Sequence, residues 1–459
     1  MASDVRNHAS YEFCVQSPAA VERISLGKGS AGQAICQTKG CSKKTLNYTL
    51  GTGYKFLPAG EGITNKSIEI ICGLQEEDGG ILATKRDDAY PFVYPRDASM
   101  MTVALNMYGL HDRSMRFYRY LLQVRRPQGE IYQRYNGAFP YVTRKIEADV
   151  TPIVIQGIYD TYRSSENRAF LESVWELVAD GAGFVVAGTD AVRGLVRTEN
   201  SIHENQSLEE GFEIWANSAS VKGLVDASII ATTLGHSEKA QRWLADARRL
   251  WSRILELLFD EERGLFVKNL RPDGTRVSAP DVAQLAPFYF GLCHDEKILG
   301  RTLGYLRETL WNVEYGGLNR FRDFEIVKDW HWYTGGTGAS WPLFTLWMAR
   351  FYQQLGKVDL VEECLRFIHG ASSPDMEIPE KIAPLKGYNE WRENETEYNG
   401  RVLNGIYRAE RTSISIPGYV AWACPLGWAH AEYVMLKRED SSVAGELLVD
   451  VPRDSRASS

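Results

Sequence analysis

Residues 215–259, WANSASVKGLVDASIIATTLGHSEKAQRWLADARRLWSRILELLF, read as two helices joined by a short connection. The second, Lys239–Phe259, is the clearest amphipathic segment of the chain. Trp243, Ala247, Leu250, Ile254 and Leu258 recur at spacings of three and four and so share one face. The first, Trp215–Leu234, directly precedes it, so the unit is a helix hairpin.

The same unit recurs on both sides. Upstream, helices are predicted over Ile63–Leu74, over Asp97–Leu110 (Met100, Val103, Ala104 and Met107 on one face, Gly109 as a stop), over Ser114–Val124, from Thr151-Pro152 onward, and over Asn167–Val178. Downstream they fall at Val282–Leu292, Glu296–Leu310, Ser340–Leu355, Val358–Ile368 and Trp428–Lys437. Arg271-Pro-Asp-Gly-Thr275 marks a hairpin turn. No βαβ alternation appears, which argues against a parallel sheet, and no fixed-period repeat marks an open solenoid. About twelve helices in pairs predict an all-α chain closed into a ring of inner and outer helices, an (α/α)6 barrel, over residues 61–438. Residues 1–60, rich in Gly, Ser and Thr, are expected to form an extended or β segment packed on the main body, and the polar residues 439–459 a disordered tail.

Composition narrows the function. The 459 residues are 44% hydrophobic and 24% charged with a formal net charge of −7, and no basic stripe favours nucleic acid. The seven Cys show no CxxC or zinc spacing, and the first residues lack a secretory pattern, so reduced thiols in a cytoplasmic protein are expected. The most apolar stretch, Gly418–Leu436, contains Pro425, Gly427, His430 and Glu432, which argues against a membrane span. No metal or organic cofactor is indicated, and the sequence is silent on oligomeric state.

Several loops between helices combine aromatic, Arg and acidic residues. Residues 201–219, SIHENQSLEEGFEIWANSA, place Glu209 and Glu210 just ahead of a helix. Adjacent acids there suit the positive end of a helix dipole. Held against apolar walls, one of them could equally act as a general acid with a raised pKa. A second carboxylate, Glu380 in Met376-Glu-Ile-Pro-Glu-Lys381, could then activate water. Other stretches of this character are Tyr94-Pro-Arg96-Asp97, Gln133-Arg134 with Glu147 and Asp149, Arg320-Phe-Arg322, His331-Trp332-Tyr333, and Cys424-Pro-Leu-Gly-Trp428-Ala-His430.

Taken together and in this order, these stretches resemble the glucoamylase-type family, glycoside hydrolase family 15, over roughly residues 60–437. Tyr94-Pro-Arg96-Asp97-Ala98 is similar to the family's aromatic-x-Arg-Asp-Ala signature, Leu208-Glu209-Glu210 to its Trp-Glu-Glu, Ile378-Pro-Glu380-Lys to its Leu-Pro-Glu-Gln, and Pro425–Glu432 to its closing helix. The resemblance implies an exo-acting, anomer-inverting hydrolase of terminal α-glucosidic bonds in a small carbohydrate substrate. Glu209 would be the general acid and Glu380 the general base. Tyr94, Arg96, Asp97, Glu210, Arg320, Trp332 and Trp428 would bind the sugar. Leu208 departs from the family's Trp, and the distance from the acids to Asn217 is shorter by one, which leaves Glu204, Glu209 and Glu210 all open as the acid. Isomaltose or trehalose is an alternative substrate, and a non-catalytic carbohydrate-binding module an alternative of another class.

Overall fold

The computed structural model describes residues 62–126, 128–137, 139–140, 146–204, 206–322, 339–384 and 419–438, together with short strands at Phe13–Ser17, Ala20–Ile24, Gln33–Ala34 and Leu46–Asn47. The first two of these strands pair with each other, as do the last two.

Fourteen helices are described: α1 Ile63–Gly73, α2 Pro95–Met107, α3 His111–Val124, α4 Val150–Ser165, α5 Arg168–Ser173, α6 Trp175–Ala187, α7 Gln206–Glu209, α8 Ile214–Leu234, α9 Ser237–Leu257, α10 Ala286–Tyr289, α11 Glu296–Leu310, α12 Pro342–Gln354, α13 Val358–Ala371 and α14 Gly427–Arg438. Inner and outer positions alternate along the chain. α2 packs on α4, α4 on α8, α8 on α10, and α12 on α14, which returns to α2 and closes the ring. Tyr289 of α10 meets Trp347 of α12 with ring centroids 4.6 Å apart, completing the circuit. α1, α3, α6, α9, α11 and α13 form the outer layer. This is the (α/α)6 barrel that the helix pairing predicts.

The stripe that identifies α9 is its buried face: Trp243, Ala247, Leu250 and Ile254 are all inside. Each large apolar side chain there contributes roughly 1.5–3 kcal/mol by leaving water. The inner ring needs closer approaches. A Cβ on Gly223 would lie 2.6 Å from Cβ of Pro152, so α4 and α8 touch only because that position lacks a side chain. Two boundaries differ from expectation. The segment read as one helix from Asn167 is two, α5 capped by the Asn167 side chain on the Phe170 N–H, then α6 running on to Ala187. The predicted Val282–Leu292 helix is a 3-10 turn, Val282–Leu285, followed by the single turn α10. Pro287 there has no N–H to continue a ladder, which favours restarting the helix.

The first turns of all six inner helices, or the residues just before them, carry the polar residues of interest: Arg96 and Asp97 on α2, Asp149 before α4, Glu213 before α8, Asp281 before the turn that leads to α10, Trp341 before α12, and Trp428 on α14. Beneath them lies an aromatic floor. Trp215 stacks on Trp347 at 4.9 Å and 8°, with Trp428 5.8 Å from Trp347. Buried Glu432 accepts from Trp428 Nε1 at 3.1 Å and from the Tyr289 hydroxyl at 2.5 Å.

Candidate active site

Arg96 is the hub. It is buried, and its Nη1 donates to Glu147 at 3.0 Å, to Asp149 at 3.3 Å and to the Ser201 carbonyl at 3.3 Å. Its Nη2 donates to Glu204 at 2.9 Å, and Asp97 stands 3.6 Å from its Nε. Its guanidinium lies 5.8 Å from the centroid of the Trp428 ring. Burial alone would favour losing the Arg96 proton, but the four carboxylates outweigh it and hold the guanidinium firmly charged. Gln133 bridges two of them, donating to Glu147 at 2.8 Å and to Glu204 at 2.5 Å. Asp149 also accepts from Trp215 Nε1 at 2.9 Å, tying the hub to the floor.

Asp97 is pushed up to about 7, first by burial and then by the charges of Glu204 and Glu380, against the pull of Arg96. Glu380 is raised as well. Burial is the main cause and the Glu204 charge adds to it, while Lys381, Arg320 and the Tyr90 hydroxyl oppose. Asp97, Glu204 and Glu380 therefore lie within one another's electrostatic reach. Glu380 is held by a relay in which Trp422 Nε1 donates to the Tyr90 hydroxyl at 3.1 Å and that hydroxyl donates to Glu380 at 3.1 Å. Its main-chain N–H bonds to the carbonyls of Trp422 and Ala423, both at 3.0 Å. Lys381 begins a strand, Lys381–Pro384, that pairs with Tyr419–Trp422.

The acids between Ser201 and Glu213 differ in their surroundings. Glu209 is fully buried and accepts the main-chain N–H groups of Ser201 at 2.8 Å and His203 at 2.7 Å. Burial pushes its carboxyl up to about 7, partly offset by those two bonds. Glu213 is buried as well and caps α8 through the N–H groups of Trp215 and Ala216. Glu210 is exposed and presents its carbonyl, not its carboxylate, to Asn269 at 3.0 Å. Glu204 alone among the four keeps a side chain both hydrogen-bonded to the hub and partly open, at 32% exposure. It sits at φ +57°, a left-handed conformation that a glutamate adopts only when its surroundings impose it.

The sugar-binding residues expected from the sequence divide. Tyr94 is buried, accepts from Arg134 Nη1 at 2.7 Å and packs edge-on against Tyr90. Arg96 and Asp97 line the cluster, and Trp428 supports Arg96 from below. Arg320 directs Nε to His203 Nδ1 at 2.7 Å and Nη2 to the Ile202 carbonyl, with its guanidinium 4.9 Å over Trp341. Its charge acts on both Glu209 and Glu380. Trp332 lies outside the described residues. His203 and Asp281 are the members that sequence reasoning missed. Asp281-x-x-Gln284 is a capping box that reads as a helix start, and nothing in the 78-residue separation links it to His203.

Among the described residues, no group of three His, Cys, Asp or Glu side chains is placed to hold a metal ion, and no helix is long and apolar enough to cross a membrane. A family model described as "Mannosylglycerate hydrolase MGH1-like glycoside hydrolase domain" matches residues 184–398. The chain is 24% identical over 301 residues to an uncharacterized glycosyl hydrolase of Methanocaldococcus jannaschii, covering 64% of this chain and 45% of that protein. The chain thus spans less than half the length of that curated relative. Among solved structures, a wild-type glycosidase superposes with a TM-score of 0.62 at 18% identity, covering 82% of this chain and 95% of its own. A bacterial glucoamylase complexed with acarbose gives 0.60 at 19%, covering 82% and 55%. A mannosylglycerate hydrolase from Thermus thermophilus, complexed with glucose, gives 0.55 at 12%, covering 82% and 100%. The matching family model is therefore the mannosylglycerate-hydrolase-like one, not the glucoamylase-type family whose motifs the sequence resembles. A glucoamylase remains a structural neighbour, and glycoside hydrolase chemistry is common to both.

Proposed function

We propose that the protein is an exo-acting, inverting hydrolase that cleaves the terminal bond of a short α-glucoside and releases β-glucose. In this reading Glu204 is the general acid and Glu380 the general base. The observation that carries it is Glu204, bonded to the buried Arg96 at 2.9 Å yet still partly open, with Asp97 3.6 Å from the same guanidinium and Glu380 held nearby by Tyr90 at 3.1 Å. Glu204 protonates the leaving oxygen, and Glu380, oriented by Tyr90, takes a proton from the attacking water. An inverting pair stands about 6.5–9.5 Å apart to admit that water. Arg96 and Asp97 grip the terminal sugar from the first turn of α2, where the helix dipole and fixed charges are already oriented, and Arg320 grips it from the segment between α11 and α12. Glu209, with both oxygens committed to main-chain N–H groups, anchors the loop instead of donating a proton.

A second reading keeps the chemistry and changes the leaving group to an anionic one, as the name of the matching family model suggests.

The test separates the acids by leaving group. Glucosyl fluoride needs no proton donor, whereas maltose, isomaltose, trehalose or glucosylglycerate does. Glu204→Gln should lose about 10²–10⁴-fold on the glycosides while keeping most turnover of the fluoride. Glu380→Gln should lose on both. Proton NMR should show β-glucose first. Near-normal glycoside turnover by Glu204→Gln, or α-glucose as the first product, would overturn the assignment.

A further inference from the structure

Behind the acid loop is a buried charged set that no step above uses. The His203 side chain is fully buried, with Nε2 2.9 and 2.8 Å from the two oxygens of Asp281 and Nδ1 2.7 Å from Arg320 Nε. Arginine only donates, so Nδ1 accepts and the ring hydrogen is on Nε2, given to Asp281. Asp281 also pairs with buried Lys268 at 2.8 Å and caps the following turn through the Ala283 N–H at 2.8 Å. Phe321 packs edge-on against the imidazole at 5.1 Å. The main-chain N–H of His203 goes to Glu209, and the next residue is Glu204. Arg320 has Nε and Nη2 committed, and among the described residues Nη1 makes no hydrogen bond.

We infer that His203 is a positioning residue: its imidazole, held in one tautomer by Asp281, turns the Nη1 edge of Arg320 toward the substrate while its main chain sets the place of Glu204. The inference rests on the reading of Arg320 as a sugar contact. The chemistry is directional. With the ring hydrogen on Nδ1, or on both nitrogens, a donor would face the Arg320 Nε–H and the guanidinium would turn away. Glutamine at 203 reproduces the Nε2 side of the ring and can donate to Asp281 but offers Arg320 no acceptor. Asparagine places an amide oxygen near Nδ1 and keeps that acceptor.

Steady-state kinetics of His203→Gln and His203→Asn, each alone and combined with Arg320→Ala, test this. Loss of a hydrogen bond to a charged group should raise KM roughly 10-fold or more in His203→Gln. His203→Asn should restore most of that loss, and in the Arg320→Ala background the Gln substitution should change KM less than about twofold. An equal effect of His203→Gln in both backgrounds, or no recovery with Asn, would overturn the inference. If Arg320→Ala alone leaves KM unchanged, Arg320 is no sugar contact and the inference falls with that reading. If Glu204→Gln is active on glycosides, only the acid assignment falls, since the KM coupling is measured independently. Nitrogen-15 NMR of the imidazole in the wild-type protein needs no variant to fold. It should report a neutral ring protonated on Nε2 from about pH 5 to 8, and an Nδ1-protonated or doubly protonated ring would overturn the inference.

Discussion

Arg96→Met replaces the hub by a side chain of similar reach that neither carries charge nor donates. The wild-type guanidinium makes charged hydrogen bonds at 3.0, 3.3 and 2.9 Å to Glu147, Asp149 and Glu204. At about 1.5–3 kcal/mol each, a simple sum is about 4.5–9 kcal/mol. That sum overstates the loss, because carboxylates stripped of a counter-charge take up protons. Removing one partner of a buried ion pair costs about 3–5 kcal/mol, the figure expected at pH 8. It is a large part of the roughly 5–15 kcal/mol that holds a domain folded. The pH dependence distinguishes this account from simple loss of packing. Arg96 opposes the upward push of burial on Asp97, so without it the Asp97 carboxyl rises further above its unfolded value. Its protonated form then favours folding at low pH, and that contribution is lost as pH rises through the raised value. The deficit should shrink to about 1–2 kcal/mol near pH 5. Urea unfolding followed by tryptophan fluorescence at both pH values measures it. A deficit that stays constant with pH, or lies below about 1 kcal/mol at pH 8, would refute the reasoning.

Three further outcomes are expected. With a folded value of about 7 against 4.5 unfolded, wild-type Glu209 loses up to about 3 kcal/mol of stability as pH rises through 7. Glu209→Gln cannot titrate, but its NH2 leaves one of the two main-chain N–H groups without an acceptor, so the variant should be less stable by about 1–3 kcal/mol near pH 5 and close that gap by pH 8, and parallel melting curves across that range would sink the assignment. Tyr90→Phe removes a bond that holds the Glu380 carboxyl down, so the acidic limb of the kcat/KM profile should move to higher pH, and an unmoved limb would dissociate Tyr90 from the base. Gly223→Ala forces a Cβ to within 2.6 Å of Pro152 and should cost about 1–3 kcal/mol in chemical denaturation, whereas an unchanged midpoint would mean that α4 and α8 can part.

The barrel was legible because its helices advertise a buried face. The α9 stripe, the Pro start of α4 and the bounds of α11 all follow from local pattern, and each is met within a residue or two. Where prediction slipped, at α5–α6 and at α10, a side-chain cap and a proline decided the break, and periodicity is blind to both. The cluster around Arg96 was partly legible, since its stretches share a composition of aromatic, Arg and acid. The roles within residues 201–213 were not. Four glutamates stand within ten residues, and what separates Glu204 from Glu209 is which one the main-chain N–H groups of Ser201 and His203 reach. That is a property of the folded loop, not of spacing. The link from Asp281 through His203 to Arg320 joins three separate loops and leaves no trace in the linear order.

The two strands Lys381–Pro384 and Tyr419–Trp422 have a bearing on how the chain could diversify. They run antiparallel with Lys381 opposite Trp422 and Pro384 opposite Tyr419, so the chain between them leaves and returns at neighbouring points. Glu380 and its relay partner Trp422 stand at the base of this ladder. A ladder of that kind works as a stem, insulating the groups at its foot from the length and composition of whatever is grafted at its top. Glu380 immediately precedes this ladder and its N–H bonds to the carbonyls of Trp422 and Ala423, so its place is set by the pairing and by Tyr90. Sequence change elsewhere in the chain can therefore proceed without moving the proposed base.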